Sequence, residues 1–227
     1  MDKPASSRIR KIILSMIPNS DRLRYLLHKP VMEEWKKSSG QYPFFYQRFE
    51  MYDYVNNEIL KRSEIDYLEF GVFKGDSIRY FSELNQQSGS RFVGFDTFEG
   101  LPEDWVEFSR TVKKETFTTE GHMPSVNDDR VSFVKGLFQD SLPGFLKTFK
   151  PDKQLVIHND SDLYSATLYV LTYMNNYLVP GTIIIFDEFY SVLDEFRALQ
   201  DYTSAYMREY EVIAATSDHV QVAVRIL

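Results

Sequence analysis

Four of the five strand-like apolar runs in this chain carry an acid at their end. They are IDYLEF with Glu69, RFVGFD with Asp96, QLVIHND with Asp160, and TIIIFDE with Asp187 and Glu188; RVSFVKG is the exception. A single carboxylate at a strand end can cap the following helix or simply face water. Four in register offer more: hard oxygens for a divalent cation, acceptors for sugar hydroxyls, and a site that can take a proton. One run doubles the signal, because QLVIHNDSDLY (154–164) sets Asp162 two residues after Asp160 and His158 two before it.

These residues act together only if a sheet brings the strand ends to one edge. Residues 65 to 190 alternate apolar runs with helical stretches, the pattern of a parallel sheet covered on both faces. In such open α/β sheets, ligands bind beyond the carboxyl ends of the strands, where strand order reverses. After a helix expected to carry Phe189, Val192, Leu193, Phe196 and Leu199 on one face, EVIAAT and HVQVAVRIL are separated by a few residues around Ser217 and Asp218. That short link predicts a closing antiparallel hairpin.

Ahead of the sheet, residues 1–62 read as a helical extension packed on a core formed by residues 63–227. RIRKIILSMIP predicts an amphipathic helix whose apolar part is too short for a secretory signal. Pro43 is expected to open a second helix, with Phe45, Phe49, Tyr52, Val55 and Ile59 in one stripe. The polar stretch 103–129 is too long for an ordinary connection and reads as a lid or a mobile loop.

The chain has no cysteine, which excludes disulfides, thiolate metal sites and cysteine nucleophiles. Its net charge of −7 argues against a general affinity for nucleic acid or anionic lipid. No apolar run reaches the roughly 20 residues that span a bilayer, so no membrane partner is expected and the cytoplasm is the default compartment. A small-molecule partner is the better expectation. A homodimer through the N-terminal helices is a further expectation.

The first acid heads a glycine loop, Glu69-Phe70-Gly71-Val72-Phe73-Lys74-Gly75-Asp76-Ser77, which runs into the helical stretch SIRYFSEL. The glycines allow close backbone approach to a ligand, and the helix start offers free N–H groups to an anion such as a carboxylate. The loop lacks the G-x-G-x-x-G dinucleotide fingerprint. Its four-residue glycine spacing behind an acid looks like the binding loops for S-adenosylmethionine, and Asp96 on the next strand is where ribose hydroxyls are accepted.

FDTFEGLP (95–102), VKGLFQDSLP (134–143), DSDLYSAT (160–167) and IIIFDEF (183–189) together resemble the macrocin O-methyltransferase family. These are class I S-adenosylmethionine-dependent enzymes acting on hydroxyls of sugars and natural products. The resemblance implies a Rossmann-like α/β sheet of seven strands, five parallel plus a terminal antiparallel pair. It also implies a divalent metal, usually Mg2+, beside the methyl donor.

By the same resemblance, Glu69, Gly71, Gly75 and Ser77 hold the methionine part of the donor, Asp96 the ribose, and Phe138 and Gln139 border adenine. Asp160, Asp187 and Glu188 match the metal ligands, with Glu188 standing where the family commonly has aspartate. Hard oxygens suit magnesium, which leaves places for a substrate diol. Asp162 is the expected general base, with His158 in reserve; Ser161 or Asp162 could instead cap the helix that follows. Two rivals use the same fold: a metal-dependent hydrolase, which leaves Glu69, the glycine loop and Asp96 without a purpose, and a non-catalytic nucleoside-binding module.

Overall fold

The computed structural model describes residues 21–106 and 110–227; the amphipathic helix expected over residues 8–18 lies outside them. In chain order the elements are α1 (Asp21–Ser38), β1 (Phe44–Phe45), α2 (Arg48–Tyr54, continued by a π-helical turn Val55–Ile59), β2 (Ile65–Phe70), α3 (Asp76–Leu84) and β3 (Arg91–Asp96). There follow β4 (Trp105–Val106), β5 (Thr111–Val112), β6 (Val131–Lys135), α4 (Phe138–Leu146), β7 (Gln154–Asn159) and α5 (Tyr164–Tyr173). The chain closes with β8 (Ile183–Phe186), α6 (Glu195–Tyr206), β9 (Tyr210–Thr216) and β10 (Val222–Ile226).

The main sheet has the order β1-β9-β10-β8-β7-β2-β3-β6. The five strands β8, β7, β2, β3 and β6 are parallel, and β10 runs antiparallel to both β8 and β9, as the short link predicted. Strand order reverses between β2 and β7, so the ligand crevice of an open α/β sheet belongs at their carboxyl ends. The side chains of the central strands alternate between two buried layers. Leu68, Phe70, Val93 and Phe95 pack with α4, α5 and α6, whereas Ile65, Tyr67, Phe92 and Val156 pack with α2 and α3. A fully buried side chain of this kind contributes roughly 1.5–3 kcal/mol.

Three local expectations are corrected. The sheet has eight strands rather than seven, because Phe44 and Phe45 pair in parallel with Ala215 and Thr216. The helix after Pro43 therefore starts only at Arg48, and Glu50 Oε2 accepts the Gln47 N–H across its first turn at 3.2 Å. Phe189, Val192 and Leu193 precede their helix, which begins at Glu195; Phe189 and Val192 are buried through a turn in which Asp194 accepts the Ser191 hydroxyl.

The long polar stretch is a folded cover in its described part. β4 and β5 pair antiparallel, Trp105 is buried and its Nε1 donates to Asp194 Oδ2 at 3.0 Å, and Ser165 Oγ donates to Glu103 Oε1 at 2.7 Å. No helix among the described residues is long and apolar enough to cross a membrane.

Candidate functional site

The rim is built by ladder hydrogen bonds that continue one residue past the strands. Gly71 N–H donates to Phe95 O, Asp160 N–H to Phe70 O, Asp187 N–H to Asn159 O and Gly136 N–H to Asp96 O, all at 2.9–3.1 Å. Residues far apart in sequence are thereby held at one level above the sheet. They surround a cavity of about 240 Å³ whose walls include Gly71, Asp96, Phe138, Gln139, Asp160, Asp162, Asp187 and Glu188.

On one side lies the glycine loop. Gly71 has φ +93°, and a Cβ there would meet the Asp160 carbonyl oxygen at 1.7 Å, so only glycine lets the loop pass. Gly75, at φ +77°, precedes α3, and Ser77 is buried in that helix's first turn; neither lines the cavity. Asp96 does line it, yet its carboxylate already ties the loop down. Oδ2 accepts the Val72 and Phe73 N–H groups at 2.7 and 2.8 Å, and Oδ1 accepts Phe98 N–H at 2.7 Å. A carboxylate has about four acceptor directions, which leaves Asp96 room for one hydroxyl more readily than two. Phe138 faces the cavity and also stands edge-on to the core ring of Phe70 at 5.4 Å.

On the other side the acids converge. Asp160, Asp162 and Glu188 each offer an oxygen within 4.8 Å of the others, and Asp160 also groups this way with Asp187 and His158. Asp162 is not the helix cap, because that place falls to Leu163; Asp162 instead adopts φ +60° at the cavity wall, a strained conformation for a residue with a side chain. Burial pushes the Asp160 carboxyl well above its ordinary range, and the charges of Asp187, Glu188, Asp162 and Glu195 push it further. Asp187 is lowered despite burial, since His158, Arg48 and Tyr52 all stabilise its charge. A site of hard oxygens fits a divalent cation, and the residues close enough to share one are Asp160, Asp162 and Glu188, or Asp160, Asp187 and His158.

Glu69 and His158 lie beneath this rim, not on it. They are paired neighbours on β2 and β7, and both side chains point into the buried layer under α2 and α3. The Tyr67 hydroxyl lies 2.7 Å from both Glu69 Oε2 and His158 Nδ1, and the Tyr52 hydroxyl lies 3.1 Å from His158 Nε2 and 3.0 Å from Asp187 Oδ1. Both imidazole nitrogens are therefore engaged, and His158 is fully buried, so the structure places it below the cavity as a support for Asp187.

Sequence reasoning missed four members of this site. Arg48 Nη1 reaches Asp187 Oδ2 at 3.3 Å, and Tyr52 follows one helical turn later on α2, a spacing visible in the sequence but read there as core. Tyr67 shares a sheet face with Glu69 through the period-two rule. Glu195, fully buried, accepts Asn159 Nδ2 at 2.8 Å and Glu188 N–H at 2.9 Å, fixing the backbone behind Asp160 and Glu188.

The buried network sets a pH dependence. Burial works to lower the His158 pKa, but the Asp187 carboxylate 3.7 Å from Nε2 and the Glu69 carboxylate hydrogen-bonded to Nδ1 at 3.2 Å outweigh it and raise the value from 6.5 to about 9. With the folded value above the unfolded one, this stability is complete below pH 6.5 and is lost as pH rises through about 9, on a scale of about 3 kcal/mol. Metal-free protein is expected to melt at progressively lower temperature across that window, and His158→Gln to flatten the profile. A wild-type melting temperature that stays level across it contradicts the assignment.

A family profile described as a methyltransferase domain matches residues 68–189. The 8-demethyl-8-(2,3-dimethoxy-alpha-L-rhamnosyl)-tetracenomycin-C 4'-O-methyltransferase of Streptomyces olivaceus is 31% identical over 161 residues, covering 62% of this chain and 59% of that relative. This chain thus matches less than two thirds of the relative's length. Among solved structures, the O-methyltransferase NovP is similar with a TM-score of 0.60 at 22% identity over 78% of each chain. CalS11, a calicheamicin methyltransferase, gives 0.60 at 20% identity over 99% of this chain and 94% of its own. Both are likenesses of fold.

Proposed function

Because the chain belongs to the methyltransferase-domain family, we propose that it is an S-adenosylmethionine-dependent O-methyltransferase acting on a hydroxyl of a small molecule, a sugar or a glycosylated natural product. The observation that carries this reading is the meeting of two sets of residues across one cavity at the strand-order reversal: the Gly71 turn with Asp96, and the acids Asp160, Asp162 and Glu188. The Streptomyces relative, whose name specifies 4'-O-methylation of a rhamnosyl-tetracenomycin C, supports the acceptor class. A macrocin-type specificity and cytoplasmic residence belong to the same proposal.

In this reaction the acceptor oxygen attacks the sulfonium methyl in line. An O–C bond forms as the S–C bond breaks, the sulfur leaves as a neutral thioether, and the hydroxyl proton passes to a base. Gly71 and its loop would lie against the donor, with Asp96 toward the ribose and Phe138 and Gln139 toward the adenine. Asp160, Asp187 and Glu188 would hold a divalent cation, whose charge, when bound, lowers the pKa of an acceptor hydroxyl. Asp162, on the wall beside them, takes the proton. The described part of the 103–129 stretch would help exclude water, which supports alignment of oxygen and methyl near 3 Å.

Calorimetry with S-adenosylmethionine and its demethylated product, with and without Mg2+, tests the donor and cation parts; a screen of glycosides and phenols for methyl transfer tests the acceptor. Failure to bind either nucleoside would overturn the reading. Within it, Asp162→Asn is expected to lower kcat by about 10²–10⁴-fold while donor affinity stays within a few-fold of wild type. Retention of kcat within threefold removes Asp162 from the role of base.

A further inference from the structure

The acid cluster has a resident counter-charge that comes from outside the sheet. Arg48, on the first turn of α2, lines the cavity, sets Nη1 3.3 Å from Asp187 Oδ2, and lies with its guanidinium carbon 5.0 Å from the centre of the Phe49 ring. Its side chain keeps 32% of its exposure while that of Asp187 keeps 5%, so the guanidinium can leave the pair toward the cavity but the carboxylate cannot follow. Asp187 Oδ1 accepts the Tyr52 hydroxyl and Oδ2 faces Arg48, so a cation ligated through Oδ2 meets the guanidinium directly.

We propose that Arg48 is a positioning residue that occupies the place of positive charge at Asp187 until a divalent cation arrives, and that it competes with that cation for Asp187. The proposal rests on the reading above that these acids hold a divalent cation. Two like charges cannot share one carboxylate in a half-buried site without cost, so the cation's entry loosens the Arg48 pair and turns the guanidinium toward the acceptor. Because Arg48 rides on α2, anchored by the Phe49 stack on Tyr80 and the Tyr80–Asp53 hydrogen bond, cation loading is sensed by the N-terminal helices. A simple structural role predicts that loss of Arg48 weakens everything. Competition predicts effects of opposite sign.

The test is Mg2+ titration calorimetry and thermal melting after chelation, on wild type, Arg48→Met, Arg48→Lys and Asp160→Asn. Arg48→Met is expected to bind Mg2+ roughly 5–30-fold more tightly, yet to melt lower than wild type without the cation; Arg48→Lys, which keeps the charge, falls between. Tight binding by Arg48→Met alone, with wild type silent, also supports the proposal as its extreme case. Equal or weaker binding by Arg48→Met, with wild type binding normally, overturns the competition and leaves the cation reading intact. Silence in both, or binding undiminished in Asp160→Asn, overturns both. If Arg48→Met fails to fold, the Lys variant carries the comparison, and affinity equal to or below wild type there overturns the proposal.

Discussion

Replacing Asp160 with asparagine should abolish methyl transfer and at the same time raise the melting temperature of the metal-free protein. The two effects have one cause. Asp160 is disfavoured as an anion by burial and by the charges of Asp187, Glu188, Asp162 and Glu195, so an uncharged isostere relieves the repulsion. A gain of about 1–2 kcal/mol is in the range of such relief, or roughly 2–8 °C for a domain this size. The sign with pH follows. A carboxyl raised above its unfolded value contributes most when protonated and loses that contribution as pH rises through its folded value, so the variant's advantage appears at neutral pH and disappears in acid. Activity moves the other way. Changes one layer behind a metal ligand cost 10–100-fold, so loss of the ligand itself should cost well over 100-fold. Single-turnover assays and melts after chelation measure both; activity within tenfold of wild type, or a lower metal-free melting point, rules out the assignment.

Gly71→Ala is expected to be the most damaging single methyl in the molecule. The added carbon would sit 1.7 Å from the Asp160 carbonyl oxygen and 2.6 Å from its carbon, and the φ of +93° already disfavours any side chain. Neither partner is a flexible side-chain end, so the loop and the β7 end must part. We expect more than about 4 kcal/mol of destabilisation, and in whatever folded protein remains, loss of donor and cation binding together. Gly75→Ala is the control: its Cβ would meet the Pro124 side chain at 3.0 Å and Ile78 at an ordinary 3.6 Å, at a cost of about 1–2 kcal/mol from the left-handed backbone. Near-identical melting temperatures for wild type and Gly71→Ala would mean the close approach is not part of the folded state.

The strands and the acids at their ends were legible because each is a local pattern: an apolar run, then a carboxylate. Asp160, Asp187 and Glu188 reach one rim because parallel strands end at one edge, a consequence of topology that alternation alone predicts. What lay hidden depends on which face a side chain takes and which strand lies alongside. Glu69 looked like a rim acid, but it shares the face of Tyr67 and sits opposite His158 in the β2–β7 register, which sends it under α2. Arg48 and Tyr52 carried no motif, since their meaning comes from a helix laid across strand ends more than a hundred residues away. The early helix expected at Phe189 failed for a related reason: buried aromatics there serve the core through a turn, and apolar spacing cannot distinguish the two.

The two residues of β1 matter beyond their length. They close the outer margin of β9, and the same segment carries Arg48 and Tyr52 to the acids. A fragment trimmed to begin at residue 63 would bare unpaired backbone groups along a strand rich in buried apolar side chains, inviting self-association, and would strip the cavity of part of its wall. The smallest portion worth crystallising or engineering therefore starts before Phe44, upstream of where the glycine loop and sheet core would suggest a cut.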